Sequence, residues 1–216
     1  MKRLLLVLLL HIAFVSFSHA QYLQNLRSEI QNVIAAIPNS LSSKFDSQKL
    51  LNKCEAIQKD IDEALEEDED LEVSDFKKLK EIRNQAKDLN NFIRAVGNTH
   101  YGTGLMSDQL LGRARALVNF DLSEISMGKF CINLYKFTIG KYYCVLGFNP
   151  SPYETYKINA VCKSRNGKSS FSSEFGLSPK FYRQLLNSED IVGDYFIKSI
   201  NCSKYDSPQT LPSLDY

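Results

Sequence analysis

Histidine is nearly absent from this chain. There are three, and two of them, His11 and His19, fall in an N-terminal stretch with the pattern of a secretory leader. A Ser-His-Asp or Cys-His mechanism would then have His100 alone as its base. That residue lies in Asn98-Thr99-His100-Tyr101-Gly102, with no Gly-x-Ser-x-Gly elbow beside it. A zinc centre built on several histidines is excluded. A cysteine-only site lacks any Cys-x-x-Cys knuckle, so no metal ligands are assigned.

Glycine is missing from Gln21 to Val96. The acidic run Glu66-Glu67-Asp68-Glu69-Asp70-Leu71-Glu72 therefore cannot be an EF-hand loop, which needs glycine at its sixth position. It reads as a solvated turn. Gly102-Thr103-Gly104 lacks the third glycine of a dinucleotide loop, and Gly167-Lys168-Ser169 has no upstream glycine at P-loop spacing. No cofactor is expected.

The leader itself is well marked. Lys2 and Arg3 precede an almost unbroken apolar stretch from Leu4 to Phe17, and Ser18-His19-Ala20 is a small-residue cleavage context, with Gln21 starting the mature chain. The apolar stretch is short of the roughly 20 residues that cross a bilayer, and no later run approaches that length. The expectation is a secreted or periplasmic protein with no membrane span after cleavage. Lys2 and Arg3 leave with the leader, so 24 basic residues face 25 acidic ones. That balance offers no electrostatic case for nucleic acid.

Charge and aromatic content then divide the mature chain. Residues 21–97 carry 15 acidic and 11 basic side chains, and the remainder 10 and 13; ten of the eleven tyrosines follow Gly97. The first half has helical periodicity. Leu23, Leu26, Ile30, Val33, Ile34 and Ile37 form one stripe, ended by Pro38-Asn39-Ser40. Leu51, Cys54, Ile57, Ile61 and Leu65 form a second, over Ser47 to Leu65. A third begins at Ser74 as N-cap and carries Phe76, Leu79, Ile82, Ala86, Leu89, Phe92, Ile93 and Val96, with Gly97-Asn98 as its stop. Cys54 lies within its stripe as a buried thiol.

After a Gly-rich link (Asn98 to Ser107) and a helix at Asp108 to Phe120, the period changes. Lys129–Thr138, Lys141–Asn149, Tyr156–Lys163, Ser169–Phe175 and Gly193–Cys202 read as strands, with turns at Gly140-Lys141 and Asn166-Gly167. Ser178-Pro179 is expected to cap a short helix through Leu186. Ser203 to Tyr216 reads as a loose tail.

The fold expected is α+β: an N-terminal antiparallel helical bundle followed by a small disulfide-stapled antiparallel β domain. The divisions are a leader at 1–20, the bundle at 21–97, linker and helix at 98–120, the β domain at 121–202 and the tail at 203–216. Cys131, Cys144, Cys162 and Cys202 form an even set in an exported, tyrosine-rich segment, which implies two disulfides. A two-residue turn at Gly140-Lys141 sets Ile139 opposite Tyr142 and Phe137 opposite Cys144. Cys131 is then about 20 Å from Cys144 at 3.3 Å per residue, too far to bridge. A second hairpin around Pro152-Tyr153 would bring Cys144 to Cys162, leaving Cys131 for Cys202.

The role expected is binding of a protein or glycan partner through the Tyr-rich β domain, using Tyr135, Tyr142, Tyr143 and Tyr156 with Lys141 and Arg165. Lys141, Lys163, Arg165 and Lys168 near the strand ends would suit an acidic partner. Two alternatives come from other classes. One is a secreted hydrolase using carboxylates among Asp121, Glu124, Glu154 and Glu174; Asp121 and Glu124 read equally as an N-cap and first-turn acid. The other is an assembly protein that oligomerises through its helices. Asn201-Cys202-Ser203 matches the N-glycosylation sequon.

Overall fold

The computed structural model describes residues 2–67, 72–97, 105–126, 130–187 and 195–204. Contacts divide the chain into two compact units: Met1–Gly102 with Leu110–Asn119, and Thr103–Gln109 with Phe120–Tyr216. The division runs through helix α4 (Asp108–Leu117), whose first two residues belong to the second unit.

The first unit holds α1 (Lys2–Ser40), α2 (Lys44–Glu67) and α3 (Val73–Val96). Their stripes bury Leu23, Leu26, Ile30, Val33 and Ile37 on α1, Leu50, Leu51, Cys54, Ile57 and Ile61 on α2, and Leu79, Ile82, Ala86, Leu89, Phe92, Ile93 and Val96 on α3. Each large side chain so buried contributes about 1.5–3 kcal/mol. Between α2 and α3, Arg94 Nη2 meets Glu55 Oε1 at 2.6 Å and Arg83 Nε meets Asp62 Oδ1 at 2.5 Å. On α4, Arg113 forks onto Asp88 of α3, with Nε donating at 2.8 Å and Nη2 at 3.1 Å.

Several boundaries differ from the sequence reading. Pro38 does not break α1 but sits inside its last turn. Its missing N–H costs one bond near the end of the helix. The exit is secured instead by Leu41 N donating to Ile37 O at 3.2 Å, Ser40 Oγ to Ala36 O at 2.8 Å and Ser47 Oγ to Ser40 O at 2.8 Å. Helix α3 starts one residue before Ser74. The cap position is Glu72, without a side-chain bond; its carbonyl accepts from the N–H groups of Asp75 and Phe76. Phe76 lies at the margin of its stripe, 38 % exposed. Gly97 closes α3 in extended rather than left-handed conformation. Glycine is needed there for space, since a Cβ would lie 2.5 Å from Ile93 O. The acidic turn, apart from Glu66, Glu67 and Glu72, lies outside the described residues, as do Asn98–Gly104 and everything after Lys204.

The second unit is two antiparallel sheets. Strands β1 (Leu105–Ser107), β7 (Phe181–Asn187), β4 (Tyr142–Phe148), β3 (Asn133–Ile139) and β2 (Asp121–Ser126) form one, in that order; β6 (Ser170–Leu177), β5 (Tyr156–Ser164) and β8 (Tyr195–Lys204) form the other. The α+β architecture is therefore present, with helices first and strands after. The β3–β4 turn has the expected register, Ile139 opposite Tyr142 and Phe137 opposite Cys144, with Gly140 at φ 55°. The sheets share a core: Leu134, Val145 and Leu186 from the larger meet Ile158, Ala160, Cys162, Phe175, Leu177 and Ile200 from the smaller.

Cys131 and Cys202 are joined across these sheets, with Cα atoms 6.2 Å apart. The second expected bridge does not form: Cys144 and Cys162 are free and buried. The reason is that β4 and β5 are not a hairpin. Asn149 redirects the chain between sheets. Its Nδ2 donates to Glu154 O at 2.8 Å and Leu177 O at 2.9 Å, while its Oδ1 accepts from Ser151 N at 3.0 Å. Cys162 then faces the inter-sheet core, whereas Cys144 shares the opposite face of its sheet with Phe137.

Two further corrections concern β2 and β7. Asp121 and Glu124 are not a helix start but strand residues opposite Thr138 and Tyr135. The segment expected as a helix after Ser178-Pro179 is β7. Lys180 at φ 59° blocks helix propagation from Pro179, and Val145, Leu146, Gly147 and Phe148 supply partners for Leu186, Gln184, Arg183 and Tyr182. Helix α4 ends at Leu117, short of Phe120, whose ring packs 4.9 Å from that of Phe137.

Two outcomes are expected. Breaking the Cys131–Cys202 bridge with Cys131→Ser opens a 71-residue separation and lowers stability by about 4 kcal/mol on the chain-entropy argument, read as a lower guanidinium midpoint. Burial pushes the Cys54 thiol up to about 12, with the Glu55 charge adding to it, and pushes Cys144 up to about 12 against a lowering hydrogen bond with Tyr142. These groups favour the folded state fully below the unfolded value of 9.0. That advantage is lost as pH climbs toward 12. Urea midpoints should fall between pH 8 and 10.5, and fall less in a Cys54→Ala/Cys144→Ala variant.

Candidate binding surface

The six residues expected to form a binding patch do not form one. Tyr142 is 2 % exposed and belongs to the core, because its face of β4 carries Cys144 and packs an edge-on contact to Phe137 at 6.4 Å. Tyr135 is half-buried among rings, 6.2 Å from Phe148 and 5.7 Å from Tyr182. Tyr143 points to the other face of the sheet, with Lys136 Nζ 5.4 Å from its ring centroid. Lys141 is exposed in the β3–β4 turn. Tyr156 starts β5 and packs against the inter-sheet core. Arg165 is exposed at the far end of β5, nine residues and about 30 Å from Tyr156 along an extended strand.

The end of β5 that carries Arg165 is the better-formed surface. Its scaffold is the β5–β6 turn. Ser164 is 4 % exposed, and its hydroxyl lies 2.8 Å from Asn166 Oδ1 and 3.0 Å from Ser169 O while accepting from Ser169 N at 3.0 Å. Asn166 Oδ1 also accepts from Lys168 N at 3.0 Å, and Gly167 takes φ 73°. That left-handed position needs glycine, which is why the Asn-Gly pair marks the turn in sequence. The braced backbone projects Arg165 and Lys168 into solvent.

Strand register adds to this turn residues that are distant in sequence. Cys162 pairs with Phe171 on β6 and Ile197 on β8, Lys163 with Ser170 and Phe196, and Ser164 with Tyr195. Phe171 is 39 % and Phe196 46 % exposed. Phe171 lies 5.3 Å from the Tyr195 ring, whose hydroxyl is 2.8 Å from Ser169 Oγ. Lys198, the residue bulged out of the β5–β8 register, is exposed as well. Phe171 and Tyr195 thus lie on the core-side face of this end of the sheet, Phe196 and Lys163 lie on the other face, and Arg165 and Lys168 stand in the turn. Among the described residues none of the four cations has an acidic partner within salt-bridge distance.

The opposite end of the same sheet is neutralised. Lys157 Nζ meets Glu174 Oε1 at 2.7 Å and Lys204 Nζ meets Glu154 Oε1 at 2.5 Å. These are two of the acids considered for hydrolysis. Both are ion-paired at the surface, whereas a general acid needs a desolvated carboxyl. The other two, Asp121 and Glu124, are exposed on β2. His100 lies outside the described residues, and among those described no group of three His, Cys, Asp or Glu side chains could hold a metal.

Two more charged or phenolic groups are spent on structure. Arg183 lies 4.4 Å from the Phe175 ring, and burial lowers its affinity for the proton. Tyr182 is raised in pKa by burial first and then by its hydrogen bond with Asp108. That bond helps fix the start of α4 on β7, beside the one Asp108 N makes with Lys180 O at 3.3 Å. No family model, curated protein or solved structure matches this chain.

Of the surface, sequence reasoning found Arg165, Lys163, Lys168 and the Asn-Gly turn. It missed Phe171, Tyr195, Phe196 and Lys198. The Ser164 hydroxyl joins backbone bonds in holding the turn, so Ser164→Ala should cost about 0.5–1.5 kcal/mol, the net worth of a hydrogen bond to partly exposed partners, measured as a fall in the denaturation midpoint of the β unit.

Proposed function

We propose that the chain is an exported binding protein. It holds a protein or glycan partner of acidic character at the basic, aromatic end of its three-stranded sheet, with the helices as scaffold. The observation that carries this reading is that Lys163, Arg165, Lys168 and Lys198, unpaired by acids among the described residues, gather at the end of the sheet that bears Phe171 and Tyr195 on its core-side face and Phe196 on its other face. Cations rim a contact and steer an anionic partner, while partly exposed rings supply desolvated area at small entropic cost.

Export rests on the leader pattern, and two structural features favour it. A Cys131–Cys202 disulfide persists in oxidising compartments. In addition, α2 and α3 are 24 residues each against 39 for α1. Run antiparallel from the turn after Ser40, a 24-residue helix covers about 36 Å of α1, back to near residues 16–20. Tyr22 Oη donates to Asp60 O at 3.2 Å at that end. Removal of residues 1–20 would leave three helices of similar length. Among the described residues no helix is long and apolar enough to cross a membrane.

The test uses the secreted chain and two defined probes, a sulfated polysaccharide and poly-glutamate. At 0.15 M salt, about physiological ionic strength, at least one probe should be retained. Lys163→Ala/Arg165→Ala/Lys168→Ala should weaken that retention about tenfold, since rim charges contribute up to about 1 kcal/mol each. Retention of neither probe, or equal retention by the triple variant, contradicts the proposal.

A further inference from the structure

The solvent face of the three-stranded sheet carries a feature that partner binding does not use. Alternation along β8 places Asn201 and Ser203 on one side of the strand and Cys202 on the other. Both Asn201 and Ser203 are exposed, while Cys202 is half-buried against the inter-sheet core. The register sets Asn201 opposite Asn159 and Ser203 opposite Lys157 on β5. Asn201 therefore stands on the open face, in an extended strand, with a hydroxyl two residues on and on the same side. Among the described residues its amide has no hydrogen-bond partner.

The contrast with Asn149-Pro150-Ser151 is instructive. That triplet also has serine two residues after asparagine, but proline occupies its middle position, which the acceptor sequence forbids. Its asparagine is fully buried and its amide is committed to the carbonyls of Glu154 and Leu177. Of the two triplets, Asn201-Cys202-Ser203 alone satisfies the sequence rule, and it alone leaves the amide in solvent.

We infer that Asn201 is a site of N-linked glycosylation. The inference rests on export, because the donor is found in the secretory pathway. Asn201 Nδ2 forms a bond to the anomeric carbon of a lipid-diphosphate-linked oligosaccharide. The carbon–oxygen bond to the diphosphate breaks, the lipid diphosphate departs with the electron pair, and the amide gives up one proton. No oxidant or reductant is needed. The residue lies on a paired strand beside a disulfide cysteine, so transfer precedes the pairing of β8 with β5 and closure of Cys131–Cys202.

The attached oligosaccharide has a physical use at this position. Strand β8 is an outer strand of its sheet and runs ten residues, Tyr195–Lys204. A long outer strand exposes backbone donors and acceptors that recruit further strands unless covered. A hydrated glycan rooted on β8 shields that edge and the polar face beside it. Its root is set back from the basic, aromatic end: Asn201 pairs with Asn159, five residues and about 16 Å before Ser164 along β5.

The test is expression of the full chain with its own leader in a eukaryotic secretory cell line, read by intact mass and peptide mapping before and after peptide N-glycosidase. The expected result is a chain beginning at Gln21 that carries one oligosaccharide, with enzymatic release converting Asn201 to Asp. Asn201→Gln and Ser203→Ala should each abolish the modification; the second variant keeps the asparagine and guards against a folding effect of the first. Ser203→Thr should retain it. A chain trimmed after Ala20 and unmodified at Asn201, or a glycan that persists in Asn201→Gln, overturns the inference while leaving export intact. A chain that keeps its leader and stays inside the cell contradicts export, and this inference with it. The enzymatically deglycosylated chain should self-associate more than the intact one in sedimentation velocity; equal behaviour overturns the proposed role in shielding the edge.

Discussion

The β unit depends on one covalent constraint, the bridge between Cys131 and Cys202. It joins the residue leading into β3 of the larger sheet to the last described strand of the smaller one. Loop closure over such a separation removes more unfolded-chain entropy than any single hydrophobic contact in the unit contributes. The shared core of Leu134, Val145 and Leu186 with Ile158, Phe175, Leu177 and Ile200 then sets the packing of the two sheets. With the sheets so joined, β5 is fixed as a central strand and its far end becomes a place where β6 and β8 meet. The candidate binding surface is a consequence of that meeting.

The three cysteines left free fit the same account. Cys54 lies in the helical stripe, Cys162 in the inter-sheet core and Cys144 on the aromatic face of the larger sheet. Each acts as a small apolar side chain, and burial keeps each protonated, Cys54 and Cys144 most strongly. The unit thus combines one stabilising bridge with thiols that are protected from exchange by lack of access.

Much of the fold was legible because its signals are local. The 3.6-residue stripes marked α2 and α3 and the end of α1 to within a turn, although α1 begins at Lys2 within the stretch read as a leader, and Gly140-Lys141 set the β3–β4 register residue for residue. Where the structure differs, the outcome depends on partners far along the chain. Phe181–Asn187 has no local feature that forbids a helix; it is a strand because β4 lies alongside it and Lys180 turns the backbone first. A hairpin around Pro152-Tyr153 would pair Cys144 with Cys162. Asn149 prevents that hairpin by bonding to Leu177, 28 residues away. The surface shows the same division. Arg165 and Lys168 announce themselves through an Asn-Gly turn, whereas Phe171 and Phe196 join them only through cross-strand register. Tyr142 reads in sequence as a contact residue because strand alternation reveals that two adjacent tyrosines face opposite ways but not which face is covered.

Disulfide mapping of the exported chain is the most direct measurement. Non-reducing digestion after alkylation in denaturant should yield one crosslinked peptide pair, Cys131 with Cys202, and alkylated Cys54, Cys144 and Cys162. A Cys144–Cys162 crosslink, or an alkylated Cys131 and Cys202 in correctly folded protein, would contradict the two-sheet arrangement and remove the basis for the surface built on it.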